Sequence, residues 1–414
     1  MIISDWINAF RRAEGPPPKQ LWPFLRWCLS GAWPALWLAA FCSAAAGAME
    51  AGTALILGRV IDATVALGPD GFFSVSNLWL VVGALVFFLI ARPILFGLSA
   101  ATNAIIVQPN VNPLVLSRLH RWTLGQSVTF FDDDFAGRIA QKQMQAARAV
   151  TDVVAEFINV VAFALASLVG SVILLFAIDW RVALGFAVWL VAYFALIRWY
   201  MPRVRKRSAA RAAARAMVSG QVVDTITNIK TVKLFAHDDH EDQAALNSMS
   251  AFRKTAVDFG ILSAGFRFAL MALAGLLPVF LLGGTILMWQ RGLASPGDIV
   301  ASGAIAIRIA QMTGWGSFTL MAIYSNVGEI EDGIRTLTPR TRVEDAAGAP
   351  ALDRVRGEIT FDELGFSYGR QTGGIERISL VVKPGEKVGI VGASGACKST
   401  LVSLLLRLYK AENG

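Results

Sequence analysis

The residues that indicate a definite chemistry lie near the C-terminus, in the stretch GASGACKST from Gly392 to Thr400. In the pattern G-x-x-x-x-G-K-[ST], backbone N–H groups and the N-terminus of the following helix surround phosphate oxygens, the Lys neutralises the outer phosphates, and the hydroxyl holds Mg²⁺. We therefore predict a nucleotide-binding phosphate loop; the alternative is a Gly/Ala-rich turn between a strand and a helix. The residues assigned to this loop are Gly392, Ser394, Gly395, Ala396, Cys397, Lys398, Ser399 and Thr400.

Cys397 departs from this pattern, because it stands where the second glycine is required. If that position needs a positive φ, a Cβ there costs about 1–2 kcal/mol. The thiol would also crowd the phosphates. Whether a nucleotide binds with Cys397 in the loop stays open at this point.

The segments that flank the loop must position it. Lys387–Val391 is a short apolar run ahead of glycines and predicts a buried strand. Ser399–Leu408 is Leu-rich with helical spacing and predicts a helix. A strand, a glycine loop and a helix in this order are typical of a phosphate-binding unit.

The composition predicts a membrane protein. Of the 414 residues, 55% are hydrophobic and 16% are charged, and the mean hydropathy is +0.53; an ordinary soluble protein is less apolar. The three cysteines have no paired spacing, so they suggest neither a disulfide framework nor a zinc site. We assign the net charge of +8 to membrane topology and expect no nucleic acid partner.

Six apolar runs follow a polar N-terminus and a Trp-rich segment, Lys19–Leu29, that is typical of an interfacial helix. Most of the runs approach or exceed the roughly 20 residues that a spanning helix needs. Lys and Arg concentrate in residues 1–32, 98–157 and 200–260, so the positive-inside rule predicts that both termini are cytoplasmic. The predicted spans are 33–57, 78–97, 157–178, 182–199, 261–288 and 299–323.

The two long inside connections have helical patterns, which predicts that the spanning helices continue past the bilayer as long hairpins. The tip of the first lies near Ser127–Arg138 and the tip of the second near Asp224–Phe235. Exposed aromatic and aliphatic residues at such tips are candidate docking groups, whereas the acids Asp132–Asp134 are interpreted as a solvated loop. The predicted docking residues are Phe130, Phe131, Val232 and Phe235.

With these features the chain resembles the half-transporters of the ATP-binding cassette (ABC) exporters, of the multidrug and lipid-exporter type. The resemblance covers almost the whole chain, from the interfacial elbow helix to the phosphate loop. The motifs that carry it are Val60-Ile61-Asp62, Phe131-Asp132, Gly137-Arg138, residues 230–236 (KTVKLFA), residues 292–298 (GLASPGD), residues 357–361 (GEITF), Phe366-Ser367-Tyr368 and the loop itself.

The resemblance implies a fold and a mechanism. It implies an α-helical membrane protein with six transmembrane helices and long cytoplasmic extensions, followed by the start of an α/β nucleotide-binding domain. It also implies a homodimer or heterodimer of half-transporters in the inner membrane that binds ATP and Mg²⁺ and exports an amphipathic, lipid or drug-like substrate. By resemblance, Tyr368 would stack on adenine, Lys398 would bind the outer phosphates and Ser399 would ligate Mg²⁺. Tyr368 could also be an ordinary edge-strand aromatic.

The expected domain organisation has four parts. Residues 1–32 form the cytoplasmic N-terminus and elbow helix, and residues 33–329 form the transmembrane domain. A linker at 330–354 leads to an incomplete nucleotide-binding domain at 355–414.

The cassette resemblance extends only to Gly414, so the glutamine loop, the signature segment, the catalytic glutamate and the switch histidine are not among these residues. We therefore assign no catalytic residue and expect the chain as given not to hydrolyse ATP alone. An alternative hypothesis is a non-catalytic product of a truncated gene that acts at most as a membrane binding or dimerising partner.

Ionisable and polar groups within the predicted spans are the substrate candidates, because such groups are costly in lipid and usually face a cavity. The set leans towards an anionic or amphipathic cargo, since it contains more arginines than glutamates. The candidates are Glu50, Arg92, Arg267, Arg308 and Gln311.

Overall fold

The computed structural model of the chain describes residues 6–132, 136–235, 238–339, 343, 348–349, 356–367, 374–393 and 395–414. Most of these residues are helical. The helices are α1 (Leu21–Cys28), α2 (Trp33–Gly71), α3 (Leu78–Val86), α4 (Arg92–Ala101), α5 (Gln108–Leu124), α6 (Val128–Asp132), α7 (Ala136–Glu156), α8 (Phe163–Ile178), α9 (Trp180–Thr227), α10 (Ile229–Phe235), α11 (Asp238–Gln290), α12 (Pro296–Leu337) and α13 (Lys398–Leu405). The strands are β1 (Ile359–Ser367) and β2 (Gly374–Val382).

Several of these helices run into one another without a loop. π-Helical turns at Phe87–Ala91 and Thr102–Val107 join α3, α4 and α5, and a third at Phe157–Ala162 joins α7 to α8. Within α2 the backbone kinks at Gly68, which has φ +67 ahead of Pro69. A glycine is needed there, because residues with a Cβ rarely adopt positive φ.

Five of the described helical stretches are long and apolar enough to cross a membrane. The sixth predicted span lies within α12, which is 42 residues long and carries Arg308. The five stretches are Trp33–Gly71, Leu78–Leu124, Ile139–Ile178, Trp180–Ser208 and Glu241–Gln290.

The chain divides into two compact units. The first contains the N-terminal residues up to Asn8 together with Gly31–Asn112 and Ala149–Glu329. Its core includes Phe163, Phe186 and Trp189, with Leu277 and Ile305. Many other apolar side chains of its helices are exposed, as suits helices that meet lipid.

Small residues let the helices of the first unit approach closely. A Cβ at Gly47 would lie 2.2 Å from the carbonyl oxygen of Phe163, and one at Gly297 would lie 2.1 Å from that of Gly58. Asp62 accepts hydrogen bonds from the Gly297 backbone N–H at 2.7 Å and the Ser295 hydroxyl at 2.8 Å. This carboxylate therefore satisfies donors where α12 begins.

The second unit contains Ala9–Ser30, Pro113–Arg148 and Ile330–Gly414. Its strands β1 and β2 pair antiparallel, with Ile359 opposite Val382 and Phe366 opposite Ile375. The C-terminal segment joins the edge of this sheet, because Gly365 N–H donates to the Asn413 carbonyl at 2.9 Å.

The predicted strand at Lys387–Val391 is not formed, so that prediction was wrong. These residues have no regular secondary structure, and Val391 is 92% exposed. An apolar strand needs neighbours for its backbone groups and side chains. Within the described part of the cassette, the sheet has only β1 and β2.

The predicted hairpins are confirmed as long helical extensions. The first is interrupted by the five-residue helix α6 after α5 ends at Leu124. The second turns at Asn228, between α9 of 48 residues and α10.

Candidate functional site

The predicted phosphate loop has two residues with positive φ. Gly395 has φ +86 and Cys397 has φ +54, immediately before α13 begins at Lys398. The backbone therefore does have a positive φ at the position where the pattern requires the second glycine. Cys397 adopts this conformation although it carries a Cβ. Its thiol lies 3.7 Å from the Gly395 carbonyl oxygen.

Lys398 curls back over the loop. Its Nζ donates to the carbonyl oxygens of Gly392 at 2.8 Å and Ala393 at 2.7 Å. These are neutral acceptors, so a phosphate oxygen would offer the ammonium a stronger, charge-assisted bond. The lysine is thus held at the loop by contacts that an anionic ligand can replace.

The two hydroxyl residues in the first turn of α13 differ in their exposure to solvent. Thr400 is buried and Ser399 is exposed. The N–H groups at the start of this helix, the adjacent lysine and the exposed serine form a donor set that suits a phosphate with a bound Mg²⁺. Of the other predicted cofactor residues, Gly392, Gly395 and Ala396 belong to the loop, whereas Tyr368 and Ser394 lie outside the described residues.

A hydrogen bond connects the end of the phosphate-loop segment with the tip of the first hairpin. The Tyr409 hydroxyl donates to the Asp132 carboxylate at 2.6 Å. Tyr409 also contacts the sheet, since its ring centroid is 5.4 Å from that of Phe366 on β1. All three residues belong to the second unit.

The predicted docking residues have different environments. Phe130 is buried and packs edge-on against Phe131, which is 38% exposed. Val232 is half-buried and lines a groove of about 310 Å³ with Ile226 and Ile229. For Phe235 the structure describes the backbone, as the last residue of α10, but not the side chain.

The predicted substrate residues are only partly brought together. Glu50, which is buried, accepts from Arg92 Nη2 at 3.1 Å and lies 3.2 Å from Arg308 Nε. This cluster joins α2, α4 and α12 and leaves one excess positive charge. Arg267 instead lies over the ring of Phe318, with 5.2 Å between the guanidinium carbon and the ring centroid. Gln311 is exposed.

Comparisons with known proteins identify the family. The family described as "ABC transporter transmembrane region" matches residues 36–312, and the one described as "ABC transporter" matches residues 375–414. The chain belongs to the ABC transporter family. It is therefore a multi-pass membrane protein of the ABC exporter half-transporter type, and the predicted fold class is confirmed.

Two of the similar proteins illustrate the range of the matches. It is 32% identical to an uncharacterized ABC transporter ATP-binding protein of Haemophilus influenzae, over 100% of the chain and 68% of that protein. It is 23% identical to the beta-(1→2)glucan export ATP-binding/permease protein NdvA of Rhodopseudomonas palustris, over 91% of the chain and 63% of that protein. The chain thus spans about two thirds of each.

A solved structure shares the fold. It is the structure of a bacterial Atm1-family ABC exporter with ATP bound, with a TM-score of 0.73 and 18% sequence identity. The match covers 93% of the present chain and 67% of the other.

Sequence reasoning missed Tyr409, which directly follows the predicted helix Ser399–Leu408. Its signal was weak, because an aromatic after a Leu-rich helix is commonly a packing residue. It also missed the partner of Tyr409, since Asp132 was interpreted as part of a solvated loop.

Proposed function

We propose that the chain forms the transmembrane domain and the opening part of the cassette of an ATP-driven export half-transporter. In this proposal it pairs with a second half-transporter, identical or related, in the inner membrane, with both termini in the cytoplasm. The excess of Lys and Arg in residues 1–32, 98–157 and 200–260 supports that orientation.

The hydrogen bond between Tyr409 and Asp132 carries the proposal. It links the segment after α13 with the tip of a hairpin that continues a membrane-spanning helix. A charge-assisted O–H···O bond of 2.6 Å is among the stronger hydrogen bonds in proteins. A movement of the phosphate loop on nucleotide binding would therefore be transmitted to this tip.

At the loop, each residue has a separate role in holding ATP. The backbone N–H groups at the start of α13 would hold phosphate oxygens, and Lys398 would exchange its carbonyl contacts for the outer phosphates. Ser399 would ligate Mg²⁺, which would supply charge neutralisation between the phosphates. Tyr368 remains the proposed adenine-stacking residue.

The charged cluster supports a cargo with an anionic part. In the first unit Glu50 faces two arginines, so a carboxylate or phosphate of the cargo could take the place of one Glu50 contact. Arg267 and Gln311 are proposed to belong to the same cavity wall. The cargo class that fits this proposal is an amphipathic small molecule or lipid.

Hydrogen–deuterium exchange at the first hairpin tip tests the proposal. The complete transporter in lipid nanodiscs is measured with and without Mg²⁺-ATP, and peptides that cover α6 are followed. We expect ATP to slow exchange in these peptides at least severalfold. In Tyr409→Phe the slowing is lost while ATP affinity stays within about twofold, because the ring is kept and only the hydroxyl is removed.

The matched control is Tyr324→Phe, which removes a hydroxyl from an exposed tyrosine of α12 in the first unit. It should respond to ATP as the wild type does. If α6 responds to ATP equally with and without the Tyr409 hydroxyl, the transmission route is wrong.

A further inference from the structure

A cavity of about 590 Å³ lies in the second unit, beside the elbow helix α1 and the last turns of α5. Three arginines and two tryptophans contribute to its lining: Arg12, Arg118, Arg121, Trp27 and Trp122. Neither the phosphate loop nor the charged cluster of the spanning helices contributes to it. Its function is not accounted for by the proposed export cycle.

The cavity is positively charged, and its arginines are not neutralised by acids. Arg118 is 2% exposed, and its guanidinium donates only to neutral oxygens. The acceptors are the carbonyls of Arg11, Trp27, Cys28 and Ser30 and the Ser30 hydroxyl, at 2.7–3.1 Å. Arg121 likewise donates to the Phe10 carbonyl at 2.7 Å. Among the described residues, no salt bridge involves Arg12, Arg118 or Arg121.

No acidic side chain lines the described cavity. Glu14 is the single acid between Ala9 and Ser30, and it does not line the cavity. Burial raises the pKa of the Cys28 thiol far above its ordinary value, so the thiol beside Arg118 stays neutral. The arginines of the cavity would therefore gain most from binding an anion from outside the chain.

The surroundings indicate the kind of anion. Helix α1 buries Phe24 and Cys28 on one side, whereas Trp22 on the other side is 79% exposed. An amphipathic helix with exposed Trp is typical of the membrane interface, where lipid headgroups lie. Basic pockets on the cytoplasmic side of membrane proteins fit phosphate headgroups, and Trp rings can cover the adjoining glycerol and upper acyl carbons.

We propose that this cavity binds the phosphate headgroup of an anionic phospholipid. Arg12 and Arg121 would contact the phosphate, since each has donors that are not used within the cavity wall. Arg118 would act as a positioning residue, because it fixes the end of α1 and contributes charge. The proposal does not depend on ATP-driven export.

Native mass spectrometry of the complete transporter, released from detergent, tests the site. The probes are dioctanoyl phosphatidylglycerol, dioctanoyl phosphatidylcholine and inorganic phosphate as a competitor. The test variant is Arg12→Gln/Arg121→Gln, and Arg12→Gln alone keeps the Arg121 contact with Phe10. The matched control is Arg11→Gln/Arg26→Gln, which removes the same charge from exposed positions of the same segment that do not line the cavity.

We expect phosphatidylglycerol to bind at least tenfold more tightly than phosphatidylcholine. Affinity for phosphatidylglycerol should fall about tenfold in the double variant, severalfold in the single variant and less than twofold in the control. Equal losses in the test and control variants would show general charge attraction and overturn the site. If inorganic phosphate displaces the lipid at the same concentration at which the lipid binds, the ligand is a soluble phosphate and the lipid assignment is wrong.

Discussion

At the scale of single residues, Cys397 is the position where sequence and backbone disagree most. The sequence raised the question of whether a positive φ is required there, and the φ of +54 answers it. A side chain in this conformation is strained by about 1–2 kcal/mol. The strain lies in the predicted phosphate loop, so we expect it to weaken the binding of a nucleotide.

We predict that Cys397→Gly tightens binding of an ATP analogue by about tenfold, which corresponds to about 1.4 kcal/mol. The measurement is a fluorescence titration with a labelled ATP analogue in the presence of Mg²⁺. Cys397→Ala removes the thiol but keeps the Cβ, so it separates crowding from strain. Ala396→Gly, next to it in the chain, should change affinity little; an equal gain there would contradict the explanation.

Glu50 is expected to stabilise the first unit through its charge. It is the carboxylate shared by Arg92 and Arg308, whose side chains remain about one third exposed. We predict that Glu50→Gln lowers the free energy of unfolding by about 1–3 kcal/mol, a range already reduced for solvent screening. Thermal unfolding in detergent measures this.

The double variant Glu50→Gln/Arg92→Gln should recover part of the loss, because one unpaired charge is removed with the carboxylate. No recovery in the double variant would mean that Glu50 acts through packing and not through its charge.

At the scale of elements, the contact between α2 and the start of α12 depends on the absence of side chains. A Cβ at Gly297 would meet the Gly58 carbonyl oxygen and the Asp62 carboxylate, both within 2.5 Å. Gly297 also donates its backbone N–H to the Asp62 carboxylate. The two helices could not keep this approach with alanine in place of glycine.

We predict that Gly297→Ala lowers the Tm by several degrees, since about 1 kcal/mol of destabilisation shifts the Tm by a few degrees in a chain of this size. Gly283→Ala in α11 is the control, because a Cβ there meets nothing within 4 Å. That control should be neutral or slightly stabilising, since alanine favours a helix over glycine. A similar Tm for both variants would show that the close approach at Gly297 does not contribute to stability.

Elements were predictable from the sequence where local patterns determine them. Hydrophobic length indicated the long helices, and the helical patterns of the two inside connections indicated the hairpins. The predicted strand at Lys387–Val391 was wrong, because the formation of a strand depends on neighbouring strands from elsewhere in the chain. Arg118 was overlooked because its importance comes from carbonyls about ninety positions away, which no local pattern reveals.

At the scale of the whole molecule, motifs spread along the chain indicated the ABC exporter family, and the family matches confirm it. The predicted phosphate loop could be assigned residue by residue, because its chemistry is encoded in one short stretch. Its connection with the hairpin could not be predicted, since Tyr409 and Asp132 are 277 positions apart. The composition likewise indicated a membrane but not a cargo, because cavity residues come from helices whose pairing is set by tertiary packing.

The most direct test of the account is nucleotide binding by the complete transporter in nanodiscs, titrated with a fluorescent ATP analogue and Mg²⁺. We predict saturable binding that weakens at least tenfold in Lys398→Ala and is unchanged in Lys410→Ala, a control that removes the same charge just beyond the loop helix. Binding that is equally strong in wild type and Lys398→Ala would contradict the assignment of this stretch as the site through which ATP acts.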